Sequence, residues 1–255
     1  MEEYLYRYIS FETFVGMIQD QALTFVLPEL WDDPKEGAAL ENALSSLKTV
    51  YERLMFLSMR SKTFCQCWTT LEESDAMWRI YNYGNRSLRI KTSFSKARQL
   101  NNVDIIPVIY SNDPMPFKEE EKFDFRKAIS CKRLAFEHEK EIRLIQHYRF
   151  TSTEDCEHHI KATWALYDET KRMQLLDSLY PGKSVEEQVE ATVKLLNVGK
   201  NRECTRQVSF SHIPDFIEGV LVNPFAPDWY VDIVKQYCSL NSIHFEGKST
   251  LYQSE

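Results

Sequence analysis

The chain opens on a strict alternation. In YLYRYIS, Leu5, Arg7 and Ile9 oppose Tyr4, Tyr6 and Tyr8, a period of two that predicts a strand with one partly apolar face and one tyrosine row. At Ser10 the period changes, because Phe11, Phe14, Val15 and Ile18 recur at helical spacing behind a serine placed as N-cap. ALTFVLP reads as the next strand, expected beside the first. WDDPKEG then has the form of a helix start, with Asp33 as N-cap, Pro34 at N1 and Glu36 at N3, and this helix is expected to reach Met59. Trp31 and Asp32 are superfluous to that cap, which hints that the turn also lines a pocket. KTFCQCW is β-branched and aromatic with no proline, the composition of a central strand. In TTLEESDAMWRIYNYG, Thr70 with Glu73 at N3 and the stop at Gly84 predict a helix of about four turns, on which Ser74, Met77, Trp78 and Tyr81 share a face.

SLRIKTSF alternates again, Leu88 and Ile90 against Arg89 and Lys91, and predicts a half-buried strand. A helix-like SKARQL follows, then VDIIPVIY, a strand that Pro107 places near an edge or bulge. The charged segment from Lys118 to Arg133 is expected to be mostly helix and leads into AFEHEKEIRLI. Read as a strand, that stretch puts Glu137, Glu139 and Glu141 on one face with Arg143 and turns Ile142 and Leu144 into a core. Like charges on one face are unfavourable unless a cation sits over them. Two readings of the stretch stand side by side: a solvated sheet edge countered by Lys140 and Arg143, or carboxylates held for work on a cation-like centre with Arg143 fixing their orientation.

Residues 154–200 change pattern to helices and read as a helical insertion, with Ser184 and Glu187 as a capping box. His158 and His159 are adjacent, so they cannot share a helical face as a metal-binding pair would. The end returns to strand, helix and strand in FIEGVLVNP, PDWYVDIVKQYCSLN and SIHFEGKSTLY. These elements predict one α+β domain over residues 1–255, a mixed central β-sheet flanked by helices.

Composition narrows the function. Only 7 glycines occur among 255 residues, and neither GxGxxG nor GxxxxGK[ST] is present, which argues against Rossmann and P-loop nucleotide sites. A net charge of -7 opposes broad capture of nucleic acid, so any nucleic acid would be held locally as a substrate. The 6 cysteines include Cys65 and Cys67 in a C-x-C that lacks zinc spacing, so no structural metal is expected. The charged opening MEEYLYRY and the lack of an 18-residue apolar run point to a cytoplasmic chain with reduced thiols and no membrane association.

Three blocks, LYRYIS with ALTFVLPELWDDPKEG, FCQCWTTLEESDAMWRIYNYG, and KRLAFEHEKEIRLI, together with VNPFAPDW and KSTLY, resemble a widespread bacterial family long catalogued as a domain of unknown function. At the level of fold that family is similar to the ADP-ribosyltransferases, with members in toxin and antiphage systems. The resemblance implies an ADP-ribosyltransferase-like fold and a reaction that moves ADP-ribose from NAD to a macromolecular acceptor, protein or nucleic acid. An antitoxin or chaperone partner is implied with it. ADP-ribosyltransferases carry His or Arg on the first strand, Ser or Tyr on a middle element and Glu on a late strand, sometimes within ExE. The matching positions are Arg7, Ser74 or Tyr81, and Glu139 with Glu141. The chain departs from the pattern in having no Ser-Thr-Ser strand and in placing the middle residue on an expected helix.

The resemblance makes Glu141, Glu139 and Tyr81 the candidate catalytic residues. Arg7, Tyr8, Ser74, Trp78 and Arg143 become the candidates for binding NAD. Breaking the ribose–nicotinamide bond develops oxocarbenium character, which a fixed carboxylate stabilises, while an arginine fork suits phosphate and an aromatic ring suits nicotinamide. Two other classes stay open on the residues themselves. A metal-dependent nuclease would use Glu139, Glu141 and Asp33 on a divalent ion, and a non-enzymatic binding module would leave all of these residues as caps and ion pairs.

Overall fold

The computed structural model describes residues 2–31, 33, 62–113, 125–147, 182, 184 and 204–252. The expected helix from Pro34 to Met59, the helical insertion with His158 and His159, and Asp32 lie outside the described residues.

Strand β1 (Tyr4–Ser10) runs straight into helix α1 (Phe11–Asp20), where the Ser10 hydroxyl accepts from the Thr13 amide at 3.1 Å and so caps the helix. Gln21 ends α1 in the left-handed region, at φ 49, and strand β2 (Ala22–Val26) follows. Strand β3 (Thr63–Thr69) precedes a short helix α2 (Asp75–Ile80), which leads to strand β4 (Ser87–Ser93) and the single turn α3 (Phe94–Ala97). Strand β5 (Val103–Pro107) stops at its proline, which has no amide hydrogen for the ladder. The chain continues in strand β6 (Ile109–Tyr110), helix α4 (Phe125–Ile129), strand β7 (Cys131–Lys132) and strand β8 (Glu141–His147). Strand β9 (Thr205–Ser209), strand β10 (Gly219–Val222), helix α5 (Asp228–Leu240) and strand β11 (Phe245–Lys248) complete it.

The strands form a mixed sheet with the order β11-β10-β4-β1-β3-β2-β9, and β8 joins β3 to β5. Only the β10–β11 pair is parallel within it. The class is therefore α+β with helices packed on the sheet. Leu5, Ile9, Ile90, Trp68, Ile142 and Leu144 meet Phe14 of α1 and Val234 of α5 in one core. Burying such side chains contributes roughly 1.5–3 kcal/mol each.

Two features of this sheet matter for the site. First, β2 does not lie beside β1 as the sequence order suggested, but pairs with β3 and β9. Second, β3 runs along β8 through seven register pairs, yet meets β1 only at Tyr6–Thr69 and β2 only at Val26–Cys65. Beyond Tyr6 the two strands part, and Arg7, Tyr8 and Ile9 face Cys67 and Trp68 across an opening.

Candidate functional site

The opening is a cleft of about 750 Å³, within the range of small-ligand sites. One wall is β1, with Tyr6, Arg7, Tyr8 and Ile9. The other is built from Cys67 and Thr69 of β3, Lys132 and Arg133, Glu139, and Glu141 at the head of β8. Trp31 and Asp33 close one end, so the turn hinted at by its superfluous tryptophan does line a pocket.

The approach to Glu141 differs from the continuous glutamate strand expected from the sequence. Leu134–Glu139 forms a 3-10 helix that ends on Lys140, a left-handed residue at φ 42, and β8 begins only at Glu141. Glu137 and Glu139 are therefore not strand neighbours of Glu141. Glu137 points to solvent, where it pairs with Lys140 at 3.1 Å. The period of two does hold from Glu141 onward: Ile142 and Leu144 enter the core while Glu141 and Arg143 share the opposite face.

Three groups fix the Glu141 side chain and backbone. Arg143 Nε donates to Oε1 at 2.8 Å, and Lys132 Nζ donates to Oε2 at 2.9 Å. Lys132 also donates to Glu139 Oε2 at 2.6 Å, so one ammonium joins both carboxylates. The Tyr110 hydroxyl accepts from the Glu141 amide at 2.7 Å. Burial on its own would push Glu141 upward, but the Arg143 charge and hydrogen bond, Lys132 and the Cys67 thiol outweigh it and hold the carboxyl at about 2. Glu141 is thus a buried, ionised carboxylate at working pH. The Cys67 thiol moves the other way, well above its ordinary value, through burial and then the Glu141 charge.

Arg143 is fully buried beneath the carboxylate, its guanidinium bonded to the Ile129 carbonyl and stacked 4.0 Å from the Trp31 ring. It orients Glu141 and does not line the cleft. Arg7, by contrast, lines the cleft, and among the described residues no carboxylate pairs with it. Burial lowers its pKa from the usual arginine value. Tyr6, Thr69 and Glu141 are register partners on successive strands, so the backbones of Tyr6 and Glu141 stand about two strand spacings apart, roughly 10 Å, with Arg7 next to Tyr6 in β1. A cation and a carboxylate serving one ligand would place the glutamate strand next to β1, but β3 lies between them.

The expected four-turn helix is cut to Asp75–Ile80, because its starting signals are taken by distant partners. Thr70 bonds the Lys140 carbonyl, and Glu73 accepts from the Trp78 indole at 2.9 Å and from the Ser249 hydroxyl. Ser74 becomes the N-cap position and lies outside the cleft lining, as does Trp78, which is 1% exposed. Neither is placed to touch a ligand in this cleft. Trp78 instead supports Tyr8 edge-on, with ring centroids 4.7 Å apart. Tyr8 and Tyr81 do line the cleft and stack at 6.3 Å. Burial raises both hydroxyls, Tyr8 to about 12, and at Tyr81 the Glu139 charge adds to it. Tyr83, left-handed at φ 47 and half-exposed, extends this aromatic side to the rim.

Lys132, Thr69, Tyr110 and Arg133 were not singled out from the sequence, and Cys67 only as half of a C-x-C without zinc spacing. Lys132 precedes Glu139 by seven residues but ends a strand while Glu139 ends the following 3-10 helix, so only the fold brings them together. Of the charged residues that line the cleft, Arg7, Lys132 and Arg133 balance Asp33, Glu139 and Glu141, with the Arg143 charge buried beneath them. Among the described residues, no group of three or more His, Cys, Asp or Glu converges as metal ligands. No helix among them is long and apolar enough to cross a membrane. Comparison with protein-family models, with curated proteins and with solved structures gives no match to this chain.

Proposed function

We propose that the cleft binds NAD and transfers its ADP-ribose to a macromolecular acceptor, protein or nucleic acid, on an ADP-ribosyltransferase-like scaffold. The observation that carries this reading is the pairing of unlike walls: Arg7 without a carboxylate partner among the described residues on one side, and a fixed, ionised Glu141 on the other. Arg7 suits the diphosphate, since a guanidinium donates two parallel hydrogen bonds to phosphate oxygens. Tyr8, Tyr81 and Tyr83 offer ring faces and edges for the nicotinamide.

The bond from ribose C1′ to the nicotinamide nitrogen breaks with its electron pair leaving on nicotinamide, which departs neutral. Positive charge then develops on the ribose, and Glu141 stabilises it while accepting a hydrogen bond from a ribose hydroxyl. The acceptor attacks C1′ and gives up a proton, for which Glu139 Oε1, without a protein partner among the described residues, is the nearest candidate base. The role of toxin or antiphage effector, with a neutralising partner, belongs to the same proposal. A metal-dependent nuclease is less well supported, because the Lys132 ammonium sits between the two carboxylates that a divalent ion would need to bridge. A binding module without chemistry accounts for the Glu141, Glu139 and Asp33 ion pairs but gives no role to Arg7, which lines the cleft without a carboxylate partner among the described residues.

The direct experiment incubates the protein with NAD labelled in the ADP-ribose moiety and with mixed cellular protein, RNA and DNA. Label should move into one macromolecular class as nicotinamide is released. Absence of both, with no NAD binding by calorimetry, rejects the proposal.

A further inference from the structure

Lys132 occupies a position that the transfer reaction does not itself require. It belongs to β7, a two-residue strand paired in parallel with β6 in a sheet of its own. So small a sheet has no independent stability. It is held because Ile109 N donates to the Ser130 carbonyl at 2.8 Å, Ser111 N to the Lys132 carbonyl at 3.0 Å, and Val108 N to the Glu141 carbonyl at 3.0 Å. Both of its register partners at one level, Tyr110 and Lys132, turn their polar ends on Glu141.

The Lys132 side chain is 12% exposed, with its ammonium 4.9 Å from the centre of the Phe136 ring. Such a desolvated ammonium is costly without partners, and here it has two carboxylates and a ring face. The bonds use Oε2 of Glu139 and Oε2 of Glu141, while Arg143 takes Oε1 of Glu141. We infer that Lys132 is a positioning residue, whose ammonium clamps Glu139 and Glu141 into one rigid pair of anions and leaves Oε1 of Glu139 open to a ligand. Its consequence for turnover rests on the transferase reading; the clamp itself does not.

The clamp predicts effects that a merely space-filling lysine would not have. Glu141 is faced by Arg143 on its own strand, Lys132 on β7, Cys67 on β3, Tyr110 on β6, Tyr81 after α2, and Glu139 in the preceding turn. Of the two nearby cations only Lys132 also reaches Glu139. Removing it leaves Glu139 and Glu141 facing each other with Arg143 bound to one alone.

The test compares wild type, Lys132→Met and Lys132→Arg in the full chain. Glutamate carboxyl titrations are followed by carbon NMR, and NAD turnover is measured against pH. Lys132→Met should move the Glu141 titration upward and lower turnover by up to about 100-fold, the scale of a ~1 Å misplacement, while Lys132→Arg restores part of both. An unchanged Glu141 titration in a folded Lys132→Met overturns the clamp, whatever the activity. A shifted titration in a protein that never turns over NAD upholds the clamp and rejects the transferase reading. If Lys132→Met does not fold, wild type still decides the matter: the Lys132 ammonium protons should exchange slowly, unlike those of the half-exposed Lys140. Equal, rapid exchange at both lysines overturns the inference.

Discussion

Arg143 and Glu141, two residues apart on one strand, form an ion pair whose side chains are 0% and 4% exposed, with Nε to Oε1 at 2.8 Å. The pair makes the candidate catalytic carboxylate a structural element as well, so stability and chemistry cannot be separated by inspection. Glu141→Gln should do both kinds of damage. Loss of the charge strands a buried guanidinium and should cost about 3–5 kcal/mol, read by urea unfolding. Turnover per folded molecule should fall about 100-fold or more. Loss of stability with normal turnover would confine Glu141 to a structural role.

Arg7→Ala should separate the same two effects in the opposite sense. Arg7 has no carboxylate partner among the described residues, and burial disfavours its charged form, so its removal strands no opposite charge and should cost less stability than Glu141→Gln. NAD affinity should weaken about 10-fold to 100-fold, the value of one or two hydrogen bonds to a charged group. Calorimetry on wild type and variant checks this, and equal affinities would remove Arg7 from the binding site.

Acid should weaken the fold in a window set by Glu141. Its folded pKa of about 2 lies below the ordinary value of 4.5, so its contribution to stability is fully present above pH 4.5 and is lost as pH falls toward 2. A depression of this size corresponds to about 3 kcal/mol. The difference in unfolding free energy between wild type and Glu141→Gln should therefore shrink as pH falls through this window. A constant difference across it would mean that Glu141 does not titrate as a depressed acid.

Cysteine reactivity gives a test that needs no ligand. Cys67 lies in the cleft with its thiol held well above its ordinary value, whereas Cys204 is exposed. At neutral pH iodoacetamide should label Cys204 promptly and Cys67 only once the protein unfolds, since the thiolate is the nucleophile. Peptide mass spectrometry reads the order of labelling, and early modification of Cys67 would contradict its placement beside an ionised Glu141.

The turn into the site should tolerate glycine better than a branched residue. Lys140 sits at φ 42, where a side chain costs roughly 1–2 kcal/mol, and its exposed bond to Glu137 returns little of that. Lys140→Gly should be neutral or stabilising in thermal melts. Lys140→Val should be destabilising and should disturb the Glu139–Lys132 contact.

What the sequence alone determined is local and periodic. The alternation in YLYRYIS, the Ser10 cap, the edge position of the strand carrying Pro107 and the split of Glu141 and Arg143 from Ile142 and Leu144 all follow from the chemistry of neighbouring residues. The mixed α+β character follows from the succession of such patterns. Only the tertiary structure decided that β3 separates β1 from β8, that Glu73 serves Trp78 and Ser249 instead of capping a long helix, and that Lys132 joins the two glutamates. Nor does a lysine announce a left-handed turn, since its side chain lacks the asparagine or glycine signature of that region. Periodicity reports which face of an element is apolar, whereas strand order and charge pairing depend on which distant segments can be buried together. The cleft exists because β1 and β3 part after a single register pair, a relation between residues more than sixty positions apart that no local pattern encodes.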